Sequence, residues 1–311
     1  MKTLSELQLP LVAAPMFIIS TPKLVTACCK SGVVGTFPAL NARTSEALEE
    51  WIIGIKQELQ DFEDKTGQEP APFGINLIVH PSNTRLEADI QIIIKHKVPL
   101  VITSLGAISQ IVDAVHSYGG IIFHDVIKRR HAEKAAEAGV DGLILVCAGA
   151  GGHAGLLNPM AFVGEVRTFF SKTILLSGCI SHGGDIAAAL AMGADFAYAG
   201  TMFIATEECA ASNEYKEMVL DSRAEEIVYT AAISGVNASF LEKSLKANGI
   251  SPEEWGKSAK LDFGSEAKAW KNVWSAGQGV GSIQEILSTE KRINQLKEEF
   301  RASIKKLNSY I

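Results

Sequence analysis

What this chain lacks narrows its function before any motif is read. Cysteine is sparse and unpatterned: Cys28, Cys29, Cys147, Cys179 and Cys209 are odd in number and show no CxxC spacing. That argues against a zinc site and fits a reducing cytosol. Clustered positive charge is missing too. The one basic block is Lys128-Arg129-Arg130, in a chain of formal charge −6 and pI near 5.7. Nucleic acid is therefore not an expected partner, because neutralising its phosphates needs grouped Lys and Arg. No run approaches the roughly 18 apolar residues that span a bilayer. Glu6, Gln8 and Pro10 interrupt the apolar start, so neither export nor a membrane anchor is expected and the location reads as cytoplasmic. A GxxxxGK[ST] phosphate loop is absent as well.

What is present describes a well-cored α/β protein: 311 residues, 47% hydrophobic, with 27 glycines. A (β/α) barrel takes about 250 residues as one unit, so a barrel with an appendage is as natural as two equal domains. Short β-branched and apolar runs alternate with stretches of helical period. Strands are predicted at 11–17, 33–39, 73–79, 99–105, 121–127, 141–148, 173–179 and 196–203. Helices are predicted between them, near 21–31, 44–60, 84–96, 107–117, 130–139, 159–171 and 183–193. Two junctions repeat: "AEAGVDGL" and "LAMGADFA" each end a helix on glycine, Gly139 or Gly193, and set an Asp before the next strand. The strands show no polar alternation, which indicates burial on both faces. Eight such units favour a closed (β/α)8 barrel, with a doubly wound sheet as the alternative.

From about 206 the pattern turns to charged helical segments, "EYKEMVLDSRAEEIV" and "SFLEKSLKANG". The expected division is a barrel over 1–205, a small helical cap over 206–273, and a return loop with a last helix packing on the barrel over 274–311. The glycine-rich "WSAGQGVGS" at 274–282 has no role in a plain helical bundle.

In parallel barrels, ligands sit where the strands end. "AGAGGHAG" follows strand six, "SGCISHGG" strand seven, and "AGTMF" lies at strand eight. The first satisfies GxGxxA formally. A dinucleotide fingerprint also needs a helix at once and an acidic residue about 20 positions on, and here "LLNP" intervenes and the next strand ends in Ser177-Gly178. The second and third loops suit phosphate. Gly178, Gly183 and Gly184 let amides turn toward a ligand, Gly184 opens a helix whose positive end favours an anion, and Gly200-Thr201 adds amides and a hydroxyl. Glycine-rich turns are also an ordinary barrel feature. "AAPM" at 13–16 offers a small-residue wall for a flat ring, and Asn76 places an amide mid-strand, where it needs hydrogen-bond partners in the protein or a ligand. His153, stripped of bulky neighbours, suits proton abstraction or a hydrogen bond to an anion, although a loop histidine can be merely solvated.

"AAPM", "FGINL", "AGAGGHAG", "LLSGCISHGGDIAAALAMGADFAYAGTMFIATEE" and "WSAGQGVG", in this order, resemble the nitronate monooxygenase family, formerly called 2-nitropropane dioxygenases. The resemblance implies an FMN-bearing (β/α)8 TIM barrel with a small helical domain. It implies Ala14, Pro15 and Met16 along the flavin ring, Asn76 hydrogen-bonding it, and Gly151 touching it. Gly178, Gly200 and Thr201 would hold the phosphate, with His153 as the active-site base or nitro-group donor. The implied reaction takes an alkyl nitronate, or a nitroalkane, and O2 to a carbonyl compound and nitrite; a homo-oligomer is compatible with it. Val146, Cys179 and Tyr198 depart from the family's usual glutamine, glycine and glutamine, and no neighbour that would activate Cys179 is visible. The competing readings are an FMN-dependent enoyl-acyl-carrier-protein reductase using NAD(P)H and a flavin-binding sensor or partner protein without turnover.

Overall fold

The computed structural model describes residues 1–106, 108–233, 235–258 and 272–310. Residues 107, 234, 259–271 and 311, on which parts of the predicted fourth helix, the cap and the 274–311 segment fall, lie outside the described residues.

Eight parallel strands close into a barrel: β1 (Leu11–Ala13), β2 (Val34–Pro38), β3 (Phe73–Ile78), β4 (Leu100–Ser104), β5 (Ile121–Val126), β6 (Gly142–Val146), β8 (Thr173–Ser177) and β9 (Phe196–Ala199). β9 pairs back onto β1 at Ala13 and Ala199 and completes the ring. Each predicted strand is present and ends one to four residues early, where the chain leaves the ladder for the mouth loops. The lack of polar alternation follows from double burial. On β6, Leu143 and Leu145 pack outward against helices, while Ile144 and Val146 fill the barrel. By the same period of two, Asn76 on β3, Ser104 on β4 and Asp125 on β5 fall on the inward face.

The connecting helices are α1 (Pro22–Lys30), α2 (Ser45–Thr66), α3 (Leu86–Lys95), α4 (Ser109–His116), α5 (Arg129–Glu137), α6 (Pro159–Arg167) and α7 (Gly183–Ala191). α2 starts where the Thr44 hydroxyl accepts the Ala47 amide and runs to Thr66, six residues past the expected end, where Gly67, φ 67°, caps it. The repeated Gly-x-Asp junctions have a shared purpose. Gly139 and Gly193 take φ of 91° and 104°, and Asp141 and Asp195 each accept the amide of a neighbouring strand, from Ile122 at 2.9 Å and Ile174 at 2.8 Å.

Beyond the barrel come α8 (Thr201–Ile204), α9 (Asn213–Leu220), α10 (Glu242–Ala247) and α11 (Thr289–Asn308). Where a purely helical cap is expected, two strands appear, β10 (Ile227–Thr230) and β11 (Ala238–Leu241). "IVYT" and "ASFL" are rich in β-branched and aromatic residues, and the helical period before them ends at Leu220. β10 pairs antiparallel with β11, and β11 pairs with β7 (Gly152–His153), a two-residue strand inside the glycine loop after β6.

α11 lies across α7 with no room for a side chain at Gly183. A methyl there would collide with the backbone nitrogen of Phe300 and the carbonyl of Leu296. Gly183→Ala is expected to cost about 1–3 kcal/mol through overpacking, read as a lower midpoint in urea unfolding. An unchanged midpoint would show that α11 is not held at this distance.

Candidate active site

The mouth of the barrel has two chemically different halves. Over β3 to β5 it is a chain of polar side chains. Asn76 Nδ2 donates to the Ile102 carbonyl at 3.3 Å and to Ser104 Oγ at 2.8 Å, and Ser104 Oγ donates to Asp125 Oδ2 at 2.5 Å. Asn76 is 5% exposed and Ser104 9%. Burial pushes the Asp125 carboxyl up to about 6, against the opposing pull of the Ser104 hydrogen bond and of nearby His153. Tyr198, from β9, faces the same space; burial raises its phenol well above the usual range, and Asp125 adds to the shift.

His153 reaches this half on β7. Its strand is positioned from three sides: Ala238 pairs with His153, Ser275 Oγ accepts the Gly152 amide at 2.7 Å, and Tyr229 donates its hydroxyl to the Ala154 carbonyl at 2.9 Å. Gly155 then presses on the Val146 carbonyl and on Ile127, so residues 152–155 lie over the ends of β5 and β6. The imidazole itself is exposed. His124, one residue before Asp125, points outward instead; it shares a hydrogen bond with Thr103 at 2.8 Å, and burial, reinforced by His131, pushes it down to about 4.

The other half is a cleft of glycines and amides between β8 and β9. It is lined by Gly149, Ala150, Gly151, Ser177, Gly178, Cys179, Ile180, Ser181, Tyr198, Ala199, Gly200, Thr201, Gly277 and Gly279. The return loop explains the glycines. A Cβ on Gly277 would stand 2.6 Å from the Gly149 carbonyl, and one on Gly151 2.8 Å from the Gly277 nitrogen. Gln278 donates its amide to Gly149 at 2.8 Å, and the Thr201 hydroxyl accepts the Gly277 amide at 2.9 Å, which leaves the hydroxyl's own hydrogen for another acceptor. Of the other predicted contacts, Ala14 donates to the Ala199 carbonyl, Gly200 abuts Ala14 and Met16, and the Pro15-Met16 turn is latched by Ser20 and Asn41. The structure thus gathers Gly151, Gly178, Gly200 and Thr201 around one cleft, with Ala14 and Met16 against Gly200, while Asn76 and His153 belong to the polar half and are not in the cleft lining.

One expectation is corrected. The positive end of α7 is already neutralised: Asp185 accepts the amides of Ser181 and His182, Glu299 that of Gly183, and the His182 ring that of Gly184, all at 2.8–2.9 Å. What is left open lies at the strand ends. There the hydroxyl oxygen of Ser181 is buried without a hydrogen-bond partner among the described residues, inside the cleft lining. Such an orphan is expensive unless a ligand satisfies it. Cys179 takes a left-handed φ of 56° that suits glycine better, and desolvation raises its thiol above the ordinary value, which disfavours the thiolate. Ser104, Asp125 and Ser181 were not singled out from the sequence. The signal for the first two was available, since each is a polar residue at inward parity next to Asn76. Among the described residues no group of acidic, His and Cys side chains is placed to hold a metal, and no helix is long and apolar enough to cross a membrane.

With this geometry in view, comparison with known proteins is specific. A family model described as nitronate monooxygenase matches residues 1–299. A nitronate monooxygenase of Paraburkholderia phytofirmans is 27% identical, covering 97% of this chain and 94% of its own. FabK from Thermotoga maritima superposes with a TM-score of 0.80 at 25% identity, covering 98% of this chain and 97% of its own. A nitroalkane oxidase from Streptomyces ansochromogenes gives 0.79 at 22%, covering 98% and 99%, and at that identity speaks for the fold alone.

The raised Asp125 carboxyl has a consequence for stability. Its folded value, about 6, exceeds the ordinary 3.8, so the folded state disfavours the charged form. The contribution is fully present at pH below about 4 and is lost as pH rises through about 6, a difference of up to about 3 kcal/mol. Asp125→Asn should therefore gain thermal stability over the wild type as pH climbs from about 4 to 7. A variant-minus-wild-type difference in Tm that stays flat across that range would contradict the buried-carboxylate assignment.

Proposed function

The chain belongs to the nitronate monooxygenase family and is an oxidoreductase; from that premise we propose that it oxidises alkyl nitronates with O2, using bound FMN, to carbonyl compounds and nitrite. The observation that carries this reading is His153, exposed on a strand laid over the barrel mouth, beside a buried carboxylate and opposite a glycine-lined anion cleft. FMN fits the residues present. Its phosphate would take the strand-end amides of Gly178, Gly200 and Thr201, the Thr201 hydroxyl and the orphaned Ser181 hydroxyl. Its ring would lie on Ala14, Pro15 and Met16 near Gly151, with Asn76 Oδ1, which takes no hydrogen bond from the described residues, offered to a ring N–H. Bound there, the flavin supplies the electron acceptor and the reaction with O2.

The protein's own work is to hold an anion and, for neutral nitroalkanes, to make it. His153 accepts the α-proton of a nitroalkane; with a substrate that is already a nitronate, it donates a hydrogen bond to a nitro oxygen.

His153→Asn should lower kcat/KM about 100-fold with a neutral nitroalkane and less with the matching nitronate, since only the former needs deprotonation. Equal rates to wild type on both would remove His153 from the mechanism. Ser181→Ala should weaken FMN binding about 10-fold, measured by quenching of flavin fluorescence; unaltered affinity would place the hydroxyl outside the phosphate site. The likeness to FabK favours one second reading, reduction of an enoyl thioester by NAD(P)H. Anaerobic mixing separates the two. Bleaching by a nitronate with slow response to NADH supports the monooxygenase, and fast reduction by NADH alone supports the reductase.

A further inference from the structure

We propose that Asp125 is a specificity-determining residue that selects, among nitro compounds, those carrying a hydroxyl or ammonium group over those carrying a carboxylate, an inference that rests on the proposed reaction. The argument starts from hydrogen counting. The Ile102 carbonyl can only accept, so the group of Asn76 that faces it is the NH2, and the same NH2 donates to Ser104 Oγ. Ser104 has a single hydroxyl hydrogen, which goes to Asp125 Oδ2. With the carboxyl ionised, its other oxygen, Oδ1, is a pure acceptor, and no described residue donates to it.

That oxygen is open. Among the described residues, the side-chain polar atoms both sealed from solvent and without a hydrogen bond are Asp89 Oδ2, Ser181 Oγ, Trp255 Nε1 and Arg292 Nε. Asp125 Oδ1, Asn76 Oδ1 and the Tyr198 hydroxyl also make no hydrogen bond to the described residues, yet are not in that set, so all three are reached from the barrel mouth. Asn76 Oδ1 is the one offered to the flavin, which leaves Asp125 Oδ1 to the substrate. The titratable groups that face Asp125 are His153 from β7 and Tyr198 from β9, while its neighbours on β4 and β6, Ser104 and Ile144, are neutral. No lysine or arginine among the described residues pairs with it: the cleft lining holds none, Arg129 of α5 is bound to Glu133 and Glu165, and Lys128 and Arg130 point into solvent.

Substrate tails of different chemistry meet this oxygen differently. An alkyl tail strips its water and returns nothing. A carboxylate sets a second negative charge beside the first. A hydroxyl or ammonium supplies the hydrogen that the oxygen lacks. The nitro group, itself only an acceptor, is kept from that place for the same reason.

The test compares 1-nitrobutane, 3-nitropropan-1-ol and 3-nitropropanoate, each also as its nitronate, on flavin-loaded protein at about pH 8, where the Asp125 carboxyl is ionised. Wild type is expected to prefer the alcohol to the carboxylate by about 10-fold or more in kcat/KM. Asp125→Asn, expected above to be the more stable protein near neutral pH, takes the Ser104 hydrogen on its amide oxygen and turns its NH2 to the mouth. The preference for the alcohol should then shrink about 10-fold. Ratios are read, so a general loss of activity in the variant cancels. At about pH 5 the wild-type preference should shrink toward the variant's, because the Asp125 carboxyl is then protonated; the variant carries whatever His153 and Tyr198 contribute to the pH dependence. Anaerobic calorimetric titration with the three nitro compounds reads the same ordering as binding, without turnover. An alcohol-to-carboxylate ratio in Asp125→Asn equal to that of wild type, in binding and in kcat/KM, overturns the proposal. If the ordering and its loss in the variant appear in binding but wild type oxidises none of the compounds, the selectivity stands and the functional reading falls.

Discussion

The contact on which the site depends is backbone against backbone: Gly149 and Gly151 on one loop, Gly277 on another, closer than any side chain would permit. From it the return loop takes its course. Gln278 bonds Gly149, Gly277 bonds Thr201, and Ser275 is then in place to join Gly152 of β7 to Ser239 of β11 through its hydroxyl. Tyr215 of α9 secures the same stretch, donating to the Ser275 carbonyl at 2.5 Å and stacking on Trp274 with ring centroids 5.0 Å apart. His153 is thus located by segments more than 80 residues away in sequence. A Cβ on any of the three glycines would propagate into the histidine strand and the anion cleft together.

The two halves of the mouth follow opposite electrostatic rules. In the cleft, the positive end of α7 is silenced by Asp185 and Glu299, so the lining presents amides and hydroxyls and no open helix end. Over β5, a carboxylate is kept in surroundings that resist its charge. The first arrangement spends charge inside the fold to stabilise helix packing, since Glu299 also joins α11 to α7. The second accepts a loss of stability near neutral pH, as functional sites commonly do.

The barrel was legible in the sequence because double burial writes itself as apolar runs, and helices ending on Gly139 and Gly193 punctuate them. The glycine loops and His153 were legible for a related reason: small residues mark where backbone must approach something. The hairpin at 227–241 was not, because "RAEEIVYT" joins a charged helical pattern to a strand without a turn signal, and its second strand, β11, pairs with β7, a partner 85 or more residues earlier. α7 was misread for the same reason. Gly183-Gly184 does open a helix, but the carboxylate that caps Gly183 comes from Glu299, and spacing along the chain cannot show it.

Asp125 shows how far parity alone could have gone. Asn76 stood out because a side-chain amide interrupts an apolar strand; Ser104 and Asp125 interrupt the next two strands at inward positions, and in "IIFHDVI" the neighbouring His124 draws attention first. The barrel resolves the ambiguity by geometry. Residues 124 and 125 must face opposite ways, so one of them lies under the helices and the other in the mouth. Which one is decided by Phe123, whose ring fills the interior and puts Asp125 on the same side. A one-residue slip in β5 would exchange the two, burying the carboxylate beneath the helices and bringing His124 to the opening. The registers Phe123 with Gly142 and Asp125 with Ile144 prevent it, because a Cβ at Gly142 would strike the Phe123 ring and only glycine leaves that ring its place. The identity of the acid at the mouth therefore rests on a glycine at the bottom of the neighbouring strand.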